Sequence, residues 1–362
     1  MRHVPAERVR EQIVRIFTAW GMEPAAVQTA AEVMVETDLS GVDSHGVSML
    51  MDYESSRAKG KLNVRAKPRV LRDDPVTALI DADAGLGHPA AKLGMEMAIA
   101  KAASMSVGVV TVRNSHHFGA AGYYAALAAK QGLIGMVTSA TRSINTVPTR
   151  AREALLGTNP IAFAAPAARN RPFLLDMATS SVAANKVRVY ELQGKPLPEG
   201  WVLDATGRPV TDATAGTDIL FKRTPYKGGG LAPVGGGTTG HKGYGLSMMA
   251  HILGGTLPGA SFSPIRNRTQ RAQDPDNLGH FLMAIDPRAF RDEGEFEADL
   301  DAAIDVLHQT APANPAEPVL VAGDPEAAKR AQRLRDGIPI PDPLAGKIRE
   351  ICKTHDVPFL LQ

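Results

Sequence analysis

From Ala78 to Ala140 the chain alternates between short apolar runs and longer helical patterns, which restricts it to a layered α/β architecture. A strand runs through Ala78-Leu79-Ile80-Asp81, and a helix follows in AAKLGMEMAIAKAA. Leu93, Met97 and Ala100 take core spacing on that helix. The run Val107 to Val112 is the next strand, YYAALAAKQG the next helix and LIGMVTSA the third strand. Before this block, Pro5 to Leu39 reads as two amphipathic helices joined near Gly21-Met22-Glu23-Pro24, and Met49 to Lys59 as a third. After it come strands at Ile161 to Ala165 and Phe173 to Ala178. Gly194 to Gly240 is rich in Gly, Pro and Thr and reads as loops. A helix is expected from near Lys242, a strand in HFLMAID, a helix in FEADLDAAIDVLHQT, and two polar helices broken at Gly337-Ile338-Pro339.

The chain's 362 residues are enough for two or three domains, and at 44% hydrophobic they can bury ordinary cores. A net charge of +2 is too mild for a nucleic-acid surface. One cysteine, Cys352, forbids an internal disulfide and fits a reduced, cytoplasmic setting. The first twenty residues lack the apolar core of a signal peptide, and no run reaches the roughly 20 apolar residues of a membrane span.

Two polar, histidine-bearing turns interrupt this apolar background: Asp43-Ser44-His45-Gly46 and Asn114-Ser115-His116-His117-Phe118-Gly119. A histidine alone in such a turn could cap a helix or satisfy a backbone group. Two converging on one cleft would supply the proton half of a carbonyl–alcohol interconversion, because imidazole titrates near neutrality and serine can fix a ring.

Two glycine motifs imitate a dinucleotide turn. Gly85-Leu86-Gly87-His88-Pro89-Ala90 follows a strand and opens a helix, but Pro89 lies inside it and Val107 to Val112 offers no acid for a ribose. Gly235 to Gly240 fits GxGxxG after a Pro/Gly loop. It reads better as a flexible loop ahead of a helix, where backbone N–H groups and Lys242 would attract an anion. His45, His116, His117 and His241, with Asp43 or Asp176, have no HxxxH or HExxH spacing, so no metal is expected. No GxSxG elbow surrounds Ser44.

Six segments occur in a fixed order: Asp43 to Gly46, Asn114 to Gly119, Gly157-Thr158-Asn159-Pro160, Asp176 to Ser180, His241 to Leu246, and Gly337-Ile338-Pro339. Together they resemble the malate/L-lactate dehydrogenase family of the second type, the sulfolactate and ureidoglycolate dehydrogenase-like oxidoreductases, in a hydroxycarboxylate dehydrogenase-like branch. The resemblance implies an NAD(P)-dependent 2-hydroxyacid dehydrogenase or 2-oxoacid reductase. Cyclic imino-acid reduction and catalytically silent nicotinamide binding are the alternatives. The implied fold is α/β: a non-Rossmann, mixed-sheet nucleotide-binding domain over 73–284, with a helical domain from the N- and C-terminal segments, 1–72 plus 285–362. The implied cofactor is NAD or NADP, with NAD favoured. The implied partners are a small 2-oxo or 2-hydroxy acid and a second copy in a homodimer, with neither nucleic acid nor membrane.

Carried over, His45 resembles the proton donor and Ser44 its hydrogen-bonding neighbour. His117, Phe118 and Gly119 would lie against the cofactor, with His117 a rival acid–base. Ser139, Asp176, Met177, Ala178, His241, Lys242, Gly323 and Asp324 resemble cofactor contacts, and Thr158 a substrate contact. Two departures stand out. Met49 occupies the position where many members carry an arginine that clamps the substrate carboxylate. Arg142 and Arg188 are the candidate replacements. Asn185 precedes Lys186 where a glycine is usual, which narrows that turn.

Overall fold

The structure is a computed structural model that describes residues 2–222, 228–261, 271 and 274–362. From the N-terminus it forms β1 (Arg2–Val4), α1 (Ala6–Ala19), α2 (Pro24–Leu39), α3 (Leu50–Ala58), β2 (Arg69–Asp73), β3 (Thr77–Asp81), α4 (Gly87–Met105), β4 (Val107–Ser115), α5 (Ala121–Ala129) and β5 (Ile134–Ala140). Next come β6 (Ile161–Ala165), β7 (Phe173–Met177), α6 (Ala184–Leu192), β8 (Val202–Leu203), α7 (Ala213–Thr217), β9 (Gly230–Leu231) and α8 (Gly236–His251). The chain ends with β10 (Leu278–Ile285), α9 (Glu295–Gln309), α10 (Asp324–Asp336), β11 (Ile338–Ile340) and α11 (Asp342–Thr354).

Seven strands pair in the order β2-β3-β4-β10-β5-β6-β7. β2 and β3 are antiparallel, whereas β3 and β4 are parallel with Thr77 opposite Val109, so the sheet is mixed. The parallel pair needs a crossover, and α4 supplies it.

Two compact units divide the chain. One comprises Met1–Val137, Ala162–Leu175 and Leu282–Gln362; the other comprises Thr138–Ile161 and Asp176–Phe281. The first unit holds two cores. In one, α1, α2, α3 and α11 bury Val9, Ile13, Ile16 and Phe17 against Leu50, Ile348 and Ile351. The four α1 side chains recur at helical spacing and are each 0% exposed, worth roughly 1.5–3 kcal/mol apiece. In the other, α4 and α5 cover strand residues such as Ile80, Val110, Val112 and Leu282. α2 serves both, with Met34 in the helical core and Val33 in the sheet core. That double role holds the turn after α2 against the sheet layer. The second unit has its own small core of Val182, Val187, Leu197, Val202 and Leu231.

Several expectations need correction. Gly194 to Gly240 is not simply loop, because it contains β8, α7 and β9. The helix expected near Lys242 begins at Gly236, so Gly235 to Gly240 is its cap and first turn and not a loop ahead of it. Packing overrides glycine's poor helix propensity there, since a Cβ at Gly243 would stand 2.2 Å from the Val234 carbonyl oxygen. Asn185 lies in the first turn of α6 and not in a tight turn. The break at Gly337 opens into β11, which pairs antiparallel with β1, Arg2 opposite Ile340. Among the described residues, no helix is long and apolar enough to cross a membrane.

Candidate active site

α2 ends at Leu39, and Gly41 at φ +84° turns the chain into Asp43 to Gly46. Asp38, only 2% exposed, reaches forward so that its Oδ2 accepts the Val47 N–H at 2.8 Å. Arg333 on α10 donates to the Asp38 carbonyl and to the Asp43 carboxylate, which clamps the turn from outside. Within this frame His45 is half-buried, with Nδ1 2.7 Å from Ser44 Oγ. Burial pulls the His45 imidazole below its ordinary value, so the ring is neutral at pH 7.

The second turn grows from the end of β4. That strand runs to Ser115, two residues into the motif, and Asn114 takes φ +51° while its side chain donates to Asp81 at 2.9 Å. The two adjacent histidines then separate. His116 is buried, with Nε2 3.0 Å from the Lys61 carbonyl oxygen, a structural bond. The His117 ring centroid lies 5.2 Å from that of His45. Tyr53 Oη lies 2.6 Å from His117 Nδ1. Phe118 is 4% exposed and stacks on Tyr124, with centroids 5.3 Å apart, so its ring belongs to the core. Gly119 turns at φ +80°, where a Cβ would stand 2.9 Å from Val33.

Tyr53 and His88 join this cluster without having been singled out in the sequence. His88 is buried, 5.9 Å from the Tyr53 ring and 6.4 Å from that of His117, edge to face. The available signal was a tyrosine eight residues past His45, on the helix that the turn leads into. Met49 sits half-buried against the helical core.

Gly323 and Asp324 lie elsewhere in the same unit. Gly323 at φ +103° caps α10. Asp324 accepts from the Val321 N–H at 2.8 Å and pairs with His308 at 2.7 Å. Burial opposes its ionisation, but the Val321 N–H and His308 hold its carboxyl below the ordinary value.

The second unit carries the other residues. The N–H and hydroxyl of Thr179 both donate to the Thr158 carbonyl, and the Thr179 carbonyl accepts from the Val234 N–H, which ties the Thr158 loop and the residues after β7 to the approach to α8. Asp176 is exposed at the end of β7, with Met177 and Ala178 half-buried beside it. His241 and Lys242 are exposed on α8. On that helix Gly237 and Gly245 have no described atom within 4 Å of where a Cβ would stand, so the helix surface is bare at both positions. Ser139 is buried and its hydroxyl donates to the Gly279 carbonyl at 2.9 Å. Arg142 pairs with Asp276 at 3.1 Å, and the Arg188 guanidinium lies 4.0 Å over the Phe221 ring. Among the described residues, no group of three or more His, Cys, Asp or Glu side chains could hold a metal ion.

Comparison with known proteins places the chain in a family. The sequence profile of the malate/L-lactate dehydrogenase family matches residues 4–349. A malate dehydrogenase of Pyrococcus horikoshii is 38% identical over 354 residues, 97% of this chain and 94% of that protein. A Δ1-pyrroline-2-carboxylate/Δ1-piperideine-2-carboxylate reductase of Pseudomonas putida is 37% identical over 261 residues, 72% of each chain. The crystal structure of malate dehydrogenase from Entamoeba histolytica superposes with a TM-score of 0.92 at 30% identity, covering 99% of both chains.

Proposed function

The chain belongs to the malate/L-lactate dehydrogenase family, and from that premise we propose that it is a nicotinamide-dependent oxidoreductase interconverting a 2-hydroxy acid and a 2-oxo acid. The observation that carries the reading is the pair of imidazoles, His45 and His117, with centroids 5.2 Å apart. When bound, the nicotinamide exchanges a hydride with the substrate carbon. The protein supplies the proton path. His45, neutral through burial, takes the hydroxyl proton in the oxidative direction, and its protonated form returns that proton in the reductive one. Ser44, 2.7 Å from Nδ1, steadies the ring in both states.

The same proposal places Thr158 on the substrate and carries Arg188 as the anchor for the carboxylate that Met49 cannot hold, since Arg142 is already paired with Asp276. It assigns His117, Phe118, Gly119, Ser139, Asp176, Met177, Ala178, His241, Lys242, Gly323 and Asp324 to the cofactor. Exposed Lys242 supports the phosphate-facing part. Phe118 and Ser139 would contribute backbone, since their side chains serve Tyr124 and Gly279. A non-Rossmann nucleotide site over 73–284 is supported by the Gly85 to Ala90 turn. Gly85 and Gly87 already give their N–H groups to Ala82 and His117, so neither can offer them to a pyrophosphate. A helical domain of 1–72 plus 285–362 is supported by its separate core. The single buried Cys352 supports a reduced, cytoplasmic setting.

NAD is favoured over NADP. Arg113 is 3.8 Å from Asp81 and Arg142 is paired with Asp276, so both arginines near plausible cofactor segments are already committed to carboxylates. Purified protein is expected to oxidise NADH with pyruvate, oxaloacetate, 2-oxoglutarate or a cyclic imino acid, with a higher kcat/KM than for NADPH. No turnover and no nicotinamide binding would refute the reading. Binding without turnover would identify a silent nicotinamide-binding protein, and a preference above about 100-fold for NADPH would refute the cofactor choice.

We also propose a homodimer. α1, α2 and α11 find their apolar partners within the chain, so the support comes from exposed side chains elsewhere: Leu192, Ile252, Leu257 and, on α10, Leu334 are 81%, 51%, 59% and 53% exposed. Light scattering is expected to give twice the 38.4 kDa chain mass, and a stable active species of one chain would remove the dimer.

A further inference from the structure

We infer that Tyr53 is a positioning residue that holds His117 as the neutral imidazole with its proton on Nε2, leaving proton transfer to His45 alone. The inference deepens the reading above and rests on it. Its ground is the set of groups around one atom. His117 Nδ1 lies 2.6 Å from Tyr53 Oη and 3.4 Å from the Gly119 backbone nitrogen. A backbone N–H can only donate, so Nδ1 faces that group as an acceptor. A neutral imidazole carries one proton, and the bonds at one nitrogen decide where it sits. An accepting Nδ1 therefore puts the proton on Nε2.

Tyr53 is built for the second bond. Its side chain is 2% exposed, with the ring 6.4 Å from Phe17 and 5.9 Å from His88, so the phenol has little freedom to turn away. Burial, and then the Asp52 carboxylate, push the phenol well above its ordinary value, so it keeps its proton to donate. Gly119 reaches its place through a positive φ of +80°, beside Val33 at 2.9 Å from any added Cβ, so that N–H is fixed as well. A second proton on Nδ1 would point at the Gly119 N–H, which cannot accept it, and would oblige the Tyr53 phenol to turn its own proton away. A base would have to use Nε2, which already carries its proton. His117 is thus a hydrogen-bond donor and a poor rival to His45, whose own Nδ1 contact is a serine.

The test is 15N NMR of the full chain labelled at histidine, at pH 7, with the His117 signals assigned by their loss in His117→Gln. The expected result is a protonated-type Nε2 and an unprotonated-type Nδ1. In Tyr53→Phe the two nitrogens are expected to move towards mixed tautomers, and the KM for NADH to rise about tenfold with kcat little changed, because His117 faces the cofactor and His45 moves the proton. A proton on Nδ1 in the wild type would overturn the inference, as would a tautomer pattern that Tyr53→Phe leaves unaltered. The wild-type spectrum needs no variant to fold. It also needs no turnover, so a chain inactive on every 2-oxo acid yet showing the expected tautomer would count against the proposed reaction and not against the ring assignment.

Discussion

Replacing His45 by asparagine is expected to lower kcat by about 100-fold or more, the usual share of a positioned acid–base, while nicotinamide affinity stays close to wild type. The side chain is half-buried, its Nδ1 is held 2.7 Å from Ser44, and its ring is 5.2 Å from that of His117. Asparagine roughly fills the place of the near half of the ring but has no group that titrates near neutrality. Because burial favours neutral His45, the wild-type oxidative rate should hold at neutral pH and fall as the ring is protonated at lower pH. Steady-state kinetics with a parallel fluorescence titration of NADH separates turnover from binding. Near-normal kcat in His45→Asn, with turnover lost only in His117→Gln, would reverse the two roles.

Gly46→Ala is expected to lower stability by about 3 kcal/mol and to displace the turn that carries His45. A Cβ there would stand 1.9 Å from Asp38 Oδ1 and 2.1 Å from its Cγ. Asp38 has nowhere to retreat, since it is buried on α2 and bonded to the Val47 N–H. Thermal melts should show the loss, and Asp38→Ala in the same chain should recover part of it by making room. The same aspartate imposes a pH dependence. Burial, joined by the Asp43 charge and opposed by the Val47 N–H and Arg333, pushes its carboxyl up to about 8. Unfolded, it titrates near 4. Between these values the native state keeps a proton that the unfolded state has lost, so stability falls as pH rises through this window, by up to about 1.4 kcal/mol per unit. It is level below the window and above it. Asp38→Asn should flatten the slope. A Gly46→Ala melt like the wild type would refute the packing argument, and an unchanged slope in Asp38→Asn would place the titration elsewhere.

Local pattern carried most of the architecture. The α1 spacing of Val9, Ile13, Ile16 and Phe17 specifies one apolar stripe, and the described structure buries that stripe completely. Ile161 to Ala165, a short apolar run bounded by Pro160 and Pro166, becomes β6 with those limits. Both histidine turns were legible because polar residues with positive-φ neighbours break an apolar background. Less was legible where partners are distant. β1 and β11 are three residues each, too short for a period, and their pairing joins opposite ends of the chain.

The sequence by itself therefore determined most of the helices and strands around the sheet and marked two polar histidine turns as candidates for the chemistry, because periodicity and turn chemistry act over a few neighbouring residues. Only the tertiary structure decided that His116 serves Lys61 while its neighbour His117 meets Tyr53 and His45, that the Phe118 ring belongs to the core, and that Gly235 to Gly240 winds into a helix. Those outcomes depend on which donors, acceptors and surfaces arrive from elsewhere in the chain. Tyr53 and His117 stand 64 residues apart in sequence and 2.6 Å apart in space, and no local pattern encodes that approach.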